Sequence, residues 1–183
     1  MNGLNIDRED AVLVVIDFQE KMLPMIYEKE KLLDCTGRLI KGCRTLGVPI
    51  LVTQQYTKGL GATVTEIAGA LENFTPFEKT TFSAMKEPDF VEALKKTGKN
   101  TVLLTGVETH ICVQQTALAL IEAGYVVYGV LDCMSSRTNE NKEYGQIRMT
   151  QSGVIVTGYE SVLFDMLVDS KNEHFKTISN IVK

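Results

Sequence analysis

Residues 101–124 read TVLLTGVETHICVQQTALALIEAG, which predicts a buried strand over 101–105, a turn containing glycine and a helix over 111–123 capped by Gly124. Cys112 opens that helix. A thiol in the first helical turn lies beside free N–H groups and the positive end of the helix dipole, which favours the nucleophilic thiolate. A lone cysteine is more often a small buried hydrophobe. Cys112 is therefore a candidate nucleophile that needs support from other residues.

The rest of the chain alternates in the same way between short apolar runs and helical patterns. Strands are predicted at 11–17, 50–54, 101–105, 125–131 and 154–157. Helices are predicted at 28–46, 89–97, 111–123, 141–151, 160–169 and 173–181. Residues 56–80 are expected to be irregular, with one helical turn near 64–71. This alternation predicts an α/β protein, a three-layer α/β/α sandwich around a mainly parallel, Rossmann-like sheet, with one domain over residues 1–183.

Composition excludes several functional classes. A net charge of −4 leaves no basic footprint, so no nucleic-acid partner is expected. The polar start is not a signal peptide and no apolar run is long enough to span a bilayer, so we expect a cytoplasmic protein that does not bind a membrane. Neither the cysteines nor the two histidines have metal-site spacing, and no GxGxxG fingerprint occurs, so we expect no metal and no cofactor.

Three reactive residues fall where α/β folds place their sites, at the carboxyl ends of strands. Asp17 ends the first strand, Cys112 follows the third, and Lys79 lies in the irregular segment. Together they permit covalent catalysis: Asp17 takes the thiol proton, Lys79 stabilises the charges, and Cys112 attacks a carbonyl-type carbon. The residues also have simpler interpretations, since Asp17 could cap a turn and Lys79, from spacing alone, is expected to be a solvated surface lysine.

Other candidates near this site are weaker. His110, two residues before Cys112, is a rival base, although lining the turn or capping the helix explains it better. Residues 135–138, SSRT, could bind an anionic group, but a loop entering a helix is the commoner explanation. Cys133 could approach the site edge or be a structural thiol.

Four motifs carry a resemblance to a known family. VIDFQ at 15–19, EKTTFS at 78–83, TGVETHIC at 105–112 and DCMSSR at 132–137 resemble the isochorismatase-like cysteine hydrolases, which include nicotinamidases, N-carbamoylsarcosine amidases and isochorismatases. The resemblance implies that family's fold and a catalytic triad of Asp17, Lys79 and Cys112. It also implies a cis peptide at Val107–Glu108 and an oxyanion turn formed by Val107, Glu108 and Ile111.

Within that superfamily, residues 51–61 and 172–178 look like those of the small stand-alone isochorismatase-domain proteins. Nicotinamidases carry an Asp-x-His…His metal site after the second strand. This chain has QQYTKG at 54–59 instead, which points to a metal-independent enzyme. Gln19, Gln54, Phe82 and Val107 are candidate pocket residues. The resemblance further implies a homo-oligomer, whether dimer, tetramer or larger.

The sequence thus leads us to expect a cysteine hydrolase that cleaves a small amide or related C–N bond through a thioester-type intermediate. Two alternatives stay open. One is an isochorismatase-type hydrolase of a vinyl ether, and the other is a catalytically silent binding or scaffold homologue that kept the fold.

Overall fold

The computed structural model describes residues 5–183, and strands alternate with helices along this range. Residues 1–4 lie outside the described residues. They belong to the predicted domain over 1–183 and to the polar start for which the sequence predicted no signal peptide. The strands are β1 Ala11–Ile16, β2 Ile50–Gln55, β3 Phe77–Lys79, β4 Thr101–Val107, β5 Val126–Ser135 and β6 Ile155–Thr157. The helices are α1 Lys29–Thr45, α2 Thr57–Leu60, α3 Thr65–Leu71, α4 Pro88–Lys96, α5 Gln114–Glu122, α6 Asn139–Gln151, α7 Tyr159–Leu167 and α8 Phe175–Val182.

The strands of the described chain form one parallel sheet in the order β3-β2-β1-β4-β5-β6. This confirms the predicted fold class, since it is the strand order of a doubly wound Rossmann-type sheet. From β1 the chain adds β2 and then β3 on one side of the sheet. It then crosses to the other side of β1 and adds β4, β5 and β6 in turn. β1 and β4 therefore flank the switch point, where α/β proteins bind their ligands.

β1 shows why the sheet lies in the middle of three layers. All six of its residues are fully buried, as expected for a strand covered on both faces. Ala11, Leu13 and Val15 pack into one apolar cluster, whereas Val12, Val14 and Ile16 pack into the other. The first cluster includes buried residues of α1, α3, α7 and α8, and the second includes residues of α4, α5 and α6. Among residues 5–183, no helix has the length and apolar character needed to cross a bilayer.

The prediction for residues 56–80 was wrong in part. This segment contains α2, α3 and the edge strand β3, where the sequence indicated irregular structure with a single helical turn. β3 is too short to show a hydrophobic period, and it pairs only with β2. The last residue of this strand is Lys79, which β3 places at the carboxyl edge of the sheet.

Gly106 in β4 provides a test of how closely the strands approach beneath the site. Its φ is +139°, and a Cβ there would lie 2.4 Å from the Ile16 carbonyl oxygen. We expect Gly106→Ala to lower the free energy of unfolding by roughly 2–4 kcal/mol. The added methyl group would clash with the Ile16 backbone, which cannot move aside as a flexible side chain can. Urea unfolding measures this.

The matched control is Gly37→Ala in the middle of α1, where a Cβ meets nothing within 4 Å. It should raise the free energy of unfolding by about 0.5–1 kcal/mol through helix propensity. Equal effects of the two substitutions would contradict the close approach at Gly106.

Candidate active site

Asp17 immediately follows β1 and turns its carboxylate into the carboxyl edge of the sheet. Its backbone adopts a left-handed conformation, with φ of 55°. The neighbouring strand β2 holds it from two sides: its N–H donates to the Thr53 carbonyl at 3.2 Å, and Thr53 Oγ1 donates to Asp17 Oδ1 at 2.8 Å. The carboxylate is buried. It is therefore fixed in place, with Oδ2 directed to other partners.

Lys79 is fully buried, so the interpretation as a solvated surface lysine is wrong. Its Nζ lies 2.7 Å from Asp17 Oδ2 and donates to Gln55 Oε1 at 2.5 Å. Nζ also donates to the carbonyls of Thr81 and Phe82, each at 3.3 Å. A buried ammonium needs this number of partners to offset the loss of water.

Cys112 completes the cluster. Its thiol lies close enough to the Asp17 carboxylate and the Lys79 ammonium for both charges to act on its pKa, in opposite directions. The carboxylate ends β1, the ammonium ends β3 and the thiol follows β4, so three strands deliver one residue each. The structure thus brings together the three residues that the sequence singled out.

The setting of Cys112 differs from the predicted helix start. Thr109–Val113 form a π-helical turn with Cys112 as its fourth residue, and the regular helix α5 begins only at Gln114. π turns occur often at functional sites. Burial, and then the nearby Asp17 charge, raise the pKa of the Cys112 thiol from 9.0 to about 12, although Lys79 acts to lower it. Burial therefore opposes the thiolate that a position near a helix start favours, and at this pKa the thiol holds its proton at neutral pH.

The turn before Cys112 is tied to the loop after β5. The Val107–Glu108 peptide bond is cis. Oε2 of the buried Glu108 accepts hydrogen bonds from Arg137 N at 2.9 Å and Arg137 Nε at 3.1 Å. The Ile111 N–H, which the sequence assigned to the oxyanion turn, donates to the Glu108 carbonyl at 3.0 Å. It is therefore engaged within the turn.

Two of the predicted pocket residues, Gln19 and Gln54, use their side-chain amides in hydrogen bonds within the protein. Gln19 Nε2 donates to the carbonyls of Gln55 at 3.0 Å and Gly61 at 2.7 Å, and its Oε1 accepts from Gln55 N at 2.7 Å. Gln54 is similarly engaged with Thr57 and Thr63. Both amides brace the segment after β2, because their polar groups are used internally. Phe82 is 53 % exposed beside Lys79, and Val107 is fully buried.

The rival candidates are engaged with other residues or buried in the core. His110 Nδ1 makes a 3.0 Å hydrogen bond with Ser136 Oγ, which gives it a structural role in the turn. Cys133 is fully buried in the core, and burial raises its pKa well above the usual range. Within residues 5–183, no three His, Cys, Asp or Glu side chains are grouped so that they could hold a metal ion.

Sequence reasoning missed three residues that support the triad: Thr53 beneath Asp17, Gln55 beside Lys79, and Thr116 behind Cys112. A signal existed for the first two. Both lie at the end of β2, next to the strand that ends in Asp17, so aligning the predicted strand ends places them at the same edge. Thr116 gives no such signal, because a threonine within a helix is ordinary.

Comparison with known proteins gives the family of the chain. The model of the isochorismatase domain matches residues 11–161. "Isochorismatase domain-containing protein 1" of Danio rerio is 40% identical over 182 residues, covering 98% of this chain and 63% of that protein. "Isochorismatase domain-containing protein 2" of Danio rerio is 37% identical over 173 residues, covering 94% of this chain and 86% of that protein. The chain spans only 63% and 61% of the two protein 1 relatives, from Danio rerio and Salmo salar.

Solved structures show the same fold. The "MAR1 Ribonuclease" of Caenorhabditis elegans superposes with a TM-score of 0.91 at 36% identity, covering 97% of this chain and 92% of that one. YcaC of Escherichia coli, described as an octameric hydrolase of unknown specificity, has a TM-score of 0.89 at 23% identity, covering 100% and 96%. At that identity the second likeness concerns the fold alone.

The buried ion pair predicts a strong energetic coupling. Lys79→Met leaves the Asp17 carboxylate buried without its cation and should cost about 3–5 kcal/mol of unfolding free energy. Asp17→Asn/Lys79→Met, which removes both charges, should cost at least about 1 kcal/mol less than the sum of the single substitutions. Urea unfolding of the four proteins measures the coupling, and strictly additive costs would contradict it.

The raised pKa of Cys112 predicts a pH effect with a definite sign. Between pH 9.0 and about 12 the folded protein keeps a thiol proton that the unfolded chain has lost. Unfolding then releases a proton, so stability falls as the pH rises, by at most about 1.4 kcal/mol per pH unit for this thiol. Cys112→Ser lacks this contribution, so its stability should fall less steeply than that of the wild type between roughly pH 8 and pH 10.5. Parallel pH curves would rule out the raised pKa.

Proposed function

Because the chain belongs to the isochorismatase family, we propose that it is a cysteine hydrolase that cleaves a small amide or related C–N bond. The observation that carries this proposal is the buried Asp17–Lys79 ion pair in reach of the Cys112 thiol. The three side chains form a nucleophile, a proton acceptor and a cation at the switch point of a Rossmann-type sheet.

The first half of the reaction forms a thioester. Asp17 accepts the thiol proton as the Cys112 sulfur bonds to the substrate carbonyl carbon, and the oxygen of that carbonyl becomes an oxyanion. The protonated Asp17 then gives its proton to the leaving nitrogen, the C–N bond breaks, and the amine departs. The ammonium of Lys79 stabilises Asp17 while it is a carboxylate and the sulfur while it is negative.

The second half regenerates the enzyme. Asp17 accepts a proton from a water molecule as the water oxygen bonds to the thioester carbon. The C–S bond breaks, the acid product leaves, and the proton returns from Asp17 to the sulfur. Asp17 passes on both protons that it accepts, the first to the leaving amine and the second to the sulfur, so one water is consumed per bond cleaved.

We further propose that the reaction needs no metal. At the end of β2 and in the segment after it, amide and hydroxyl side chains hold one another in place, and the nearby Glu78 carboxylate is engaged by Thr57 N and Oγ1. Gln54 Nε2 donates to Thr57 Oγ1 at 2.7 Å, and Thr63 Oγ1 donates to Gln54 Oε1 at 2.9 Å. Amides and hydroxyls that satisfy one another in this way are poor ligands for zinc, which takes thiolate, imidazole and carboxylate.

The chemistry of the thiol favours an amide over the alternatives. A thiol attacks an acyl carbon to give a thioester, whereas hydrolysis of a vinyl ether needs no such adduct. A silent scaffold does not need to bury an ion pair beside a cysteine, at the desolvation cost this carries. The ribonuclease named for the Caenorhabditis elegans relative is disfavoured here by a net charge of −4, which repels a polyphosphate.

We also propose that the protein is a homo-oligomer. Phe82, whose own carbonyl accepts from Lys79, has its ring 53 % exposed at the edge of the site. A second copy covering this ring would enclose the substrate. Light scattering on the purified protein gives the mass in solution.

Alkylation tests the activated thiol without a substrate. Cys112 and Cys35 are matched in exposure, at 7 % and 8 %, but only Cys112 has the Asp17–Lys79 pair. Near neutral pH, iodoacetamide should modify Cys112 at least about tenfold faster than Cys35, because Asp17 can accept the thiol proton as the sulfur attacks; mass spectrometry of the peptides measures both rates. Lys79→Met should remove most of the difference, because the cation stabilises the sulfur anion. A Cys112 that reacts no faster than Cys35 would sink the proposal.

Turnover separates the amide and ether chemistries. The wild type should release amine from members of a panel of small amides and leave isochorismate unchanged. Cys112→Ala should abolish this release, and Asp17→Asn should lower kcat by roughly 10²–10⁴-fold through loss of the general base. Cleavage of isochorismate that persists in Cys112→Ala would favour the vinyl-ether alternative instead.

A further inference from the structure

A buried threonine links the two halves of the proposed active site. Thr116 lies one helical turn after Cys112 in α5 and is fully buried. Its Oγ1 donates to the Cys112 carbonyl at 2.7 Å and accepts from the Ala84 N–H at 3.0 Å. A single hydroxyl therefore joins the backbone of the nucleophile to the backbone of a loop that is distant in sequence.

That loop is the one that holds the Lys79 ammonium. Two of the carbonyls to which Nζ donates belong to Thr81 and Phe82, at 3.3 Å each. Thr81 Oγ1 in turn donates to the Ser83 carbonyl at 2.9 Å, which stiffens the chain just before Ala84. The Ala84 backbone and Glu87, whose Oε1 accepts from the Thr80 and Thr81 N–H groups at 3.2 Å each, together place the carbonyls around the ammonium.

The contacts close a ring. The first part runs from Cys112 through the Thr116 hydroxyl to Ala84 and back along the loop to Lys79. The second part runs from Lys79 to Asp17, whose carboxylate acts on the Cys112 thiol. Without the hydroxyl, the hydrogen bond between the Ala84 loop and α5 is lost, and the thiol and the ammonium are then linked through Asp17 and the sheet. We propose that Thr116 is a positioning residue that sets the separation between Cys112 and Lys79, an inference that rests on the proposed function of these two residues.

Comparison with another threonine shows what is particular to Thr116. Thr150 in α6 donates to the Gln146 carbonyl, four residues earlier, at 2.9 Å, so the backbone bond within a helix is common to both. Thr150 lies on an exposed surface, whereas the Thr116 hydroxyl is buried and also receives the Ala84 N–H. The second bond, between segments, is the one to which the proposal assigns the positioning role.

The consequence for reactivity has a definite direction. The Lys79 charge lowers the pKa of Cys112, and Asp17 and burial raise it, so a longer distance to Lys79 leaves the thiol less acidic. Misplacement of reacting groups by about 1 Å costs roughly 10²-fold in rate. Loss of the Thr116 hydroxyl should therefore slow the reactions of Cys112 even where the fold is kept.

The experiment uses iodoacetamide on the intact protein, with the labelling of every cysteine followed by peptide mass spectrometry across a range of pH. Thr116→Val keeps the shape of the side chain and removes the hydroxyl, while Thr116→Ser keeps the hydroxyl. Thr150→Val, which removes a similar helical bond on the exposed surface of α6, is the matched control.

We expect Thr116→Val to slow the labelling of Cys112 by about tenfold or more and to move the inflection of its pH profile upward. Thr116→Ser should stay within roughly twofold of the wild type, and Thr150→Val should be unchanged. Cys43, which is fully buried in α1, reports on folding in the same samples. A loosened fold speeds the labelling of Cys43, whereas a displaced Lys79 slows Cys112 and leaves Cys43 as it was.

The outcomes separate the two proposals. If Cys112 of the wild type reacts no faster than Cys35, the proposed function fails and this inference fails with it. If the wild-type Cys112 is fast and Thr116→Val labels at the same rate with the same pH profile, only the positioning role is overturned. Equal slowing by Thr116→Val and Thr116→Ser would also overturn it, because the hydroxyl would then not be the cause.

Discussion

The buried ion pair between Lys79 Nζ and Asp17 Oδ2, 2.7 Å apart, is the constraint on which the site depends. Neither charge could be buried alone, since an isolated ion loses several kcal/mol on leaving water. The pair therefore requires that the end of β1 and the end of β3 meet, although β2 lies between them in the sheet. β2 contributes Thr53 to the carboxylate and Gln55 to the ammonium, so the intervening strand satisfies both ions.

The parts of the fold that follow from long, regular patterns could be predicted from the sequence. β1 and the first part of β4 are unbroken apolar runs because they are covered on both faces, and this pattern alone indicates a parallel sheet between helical layers. The positions of Asp17 and Cys112 follow from the same reasoning, since both lie directly after such strands. Lys79 did not follow from it, since the sequence placed it in an irregular segment; its place within a family motif is what raised it above a surface lysine.

The parts that could not be predicted depend on short elements and on contacts between distant segments. β3 has three residues and one neighbour, so nothing in its own sequence reveals it. Gln19 and Gln54 have the polar groups of pocket residues, and only the fold shows that backbone and side-chain partners use them. The pKa of Cys112 also escaped prediction. A position near a helix start favours the thiolate, but burial acts in the opposite direction and outweighs it here.

The raised pKa fits the proposed chemistry better than a resting thiolate would. If Cys112 had already lost its proton to solvent, Asp17 would be unprotonated when the C–N bond has to break, and the amine would need an acid from elsewhere. A thiol that keeps its proton until it attacks gives that proton to Asp17, so the acid for the leaving group is formed in the same step as the new C–S bond. In this proposal Lys79 assists the proton transfer from Cys112 to Asp17. Its positive charge stabilises the negative charge both on the carboxylate before the transfer and on the sulfur during it. Burial, which disfavours an early thiolate, thereby couples the activation of the nucleophile to that of the leaving group.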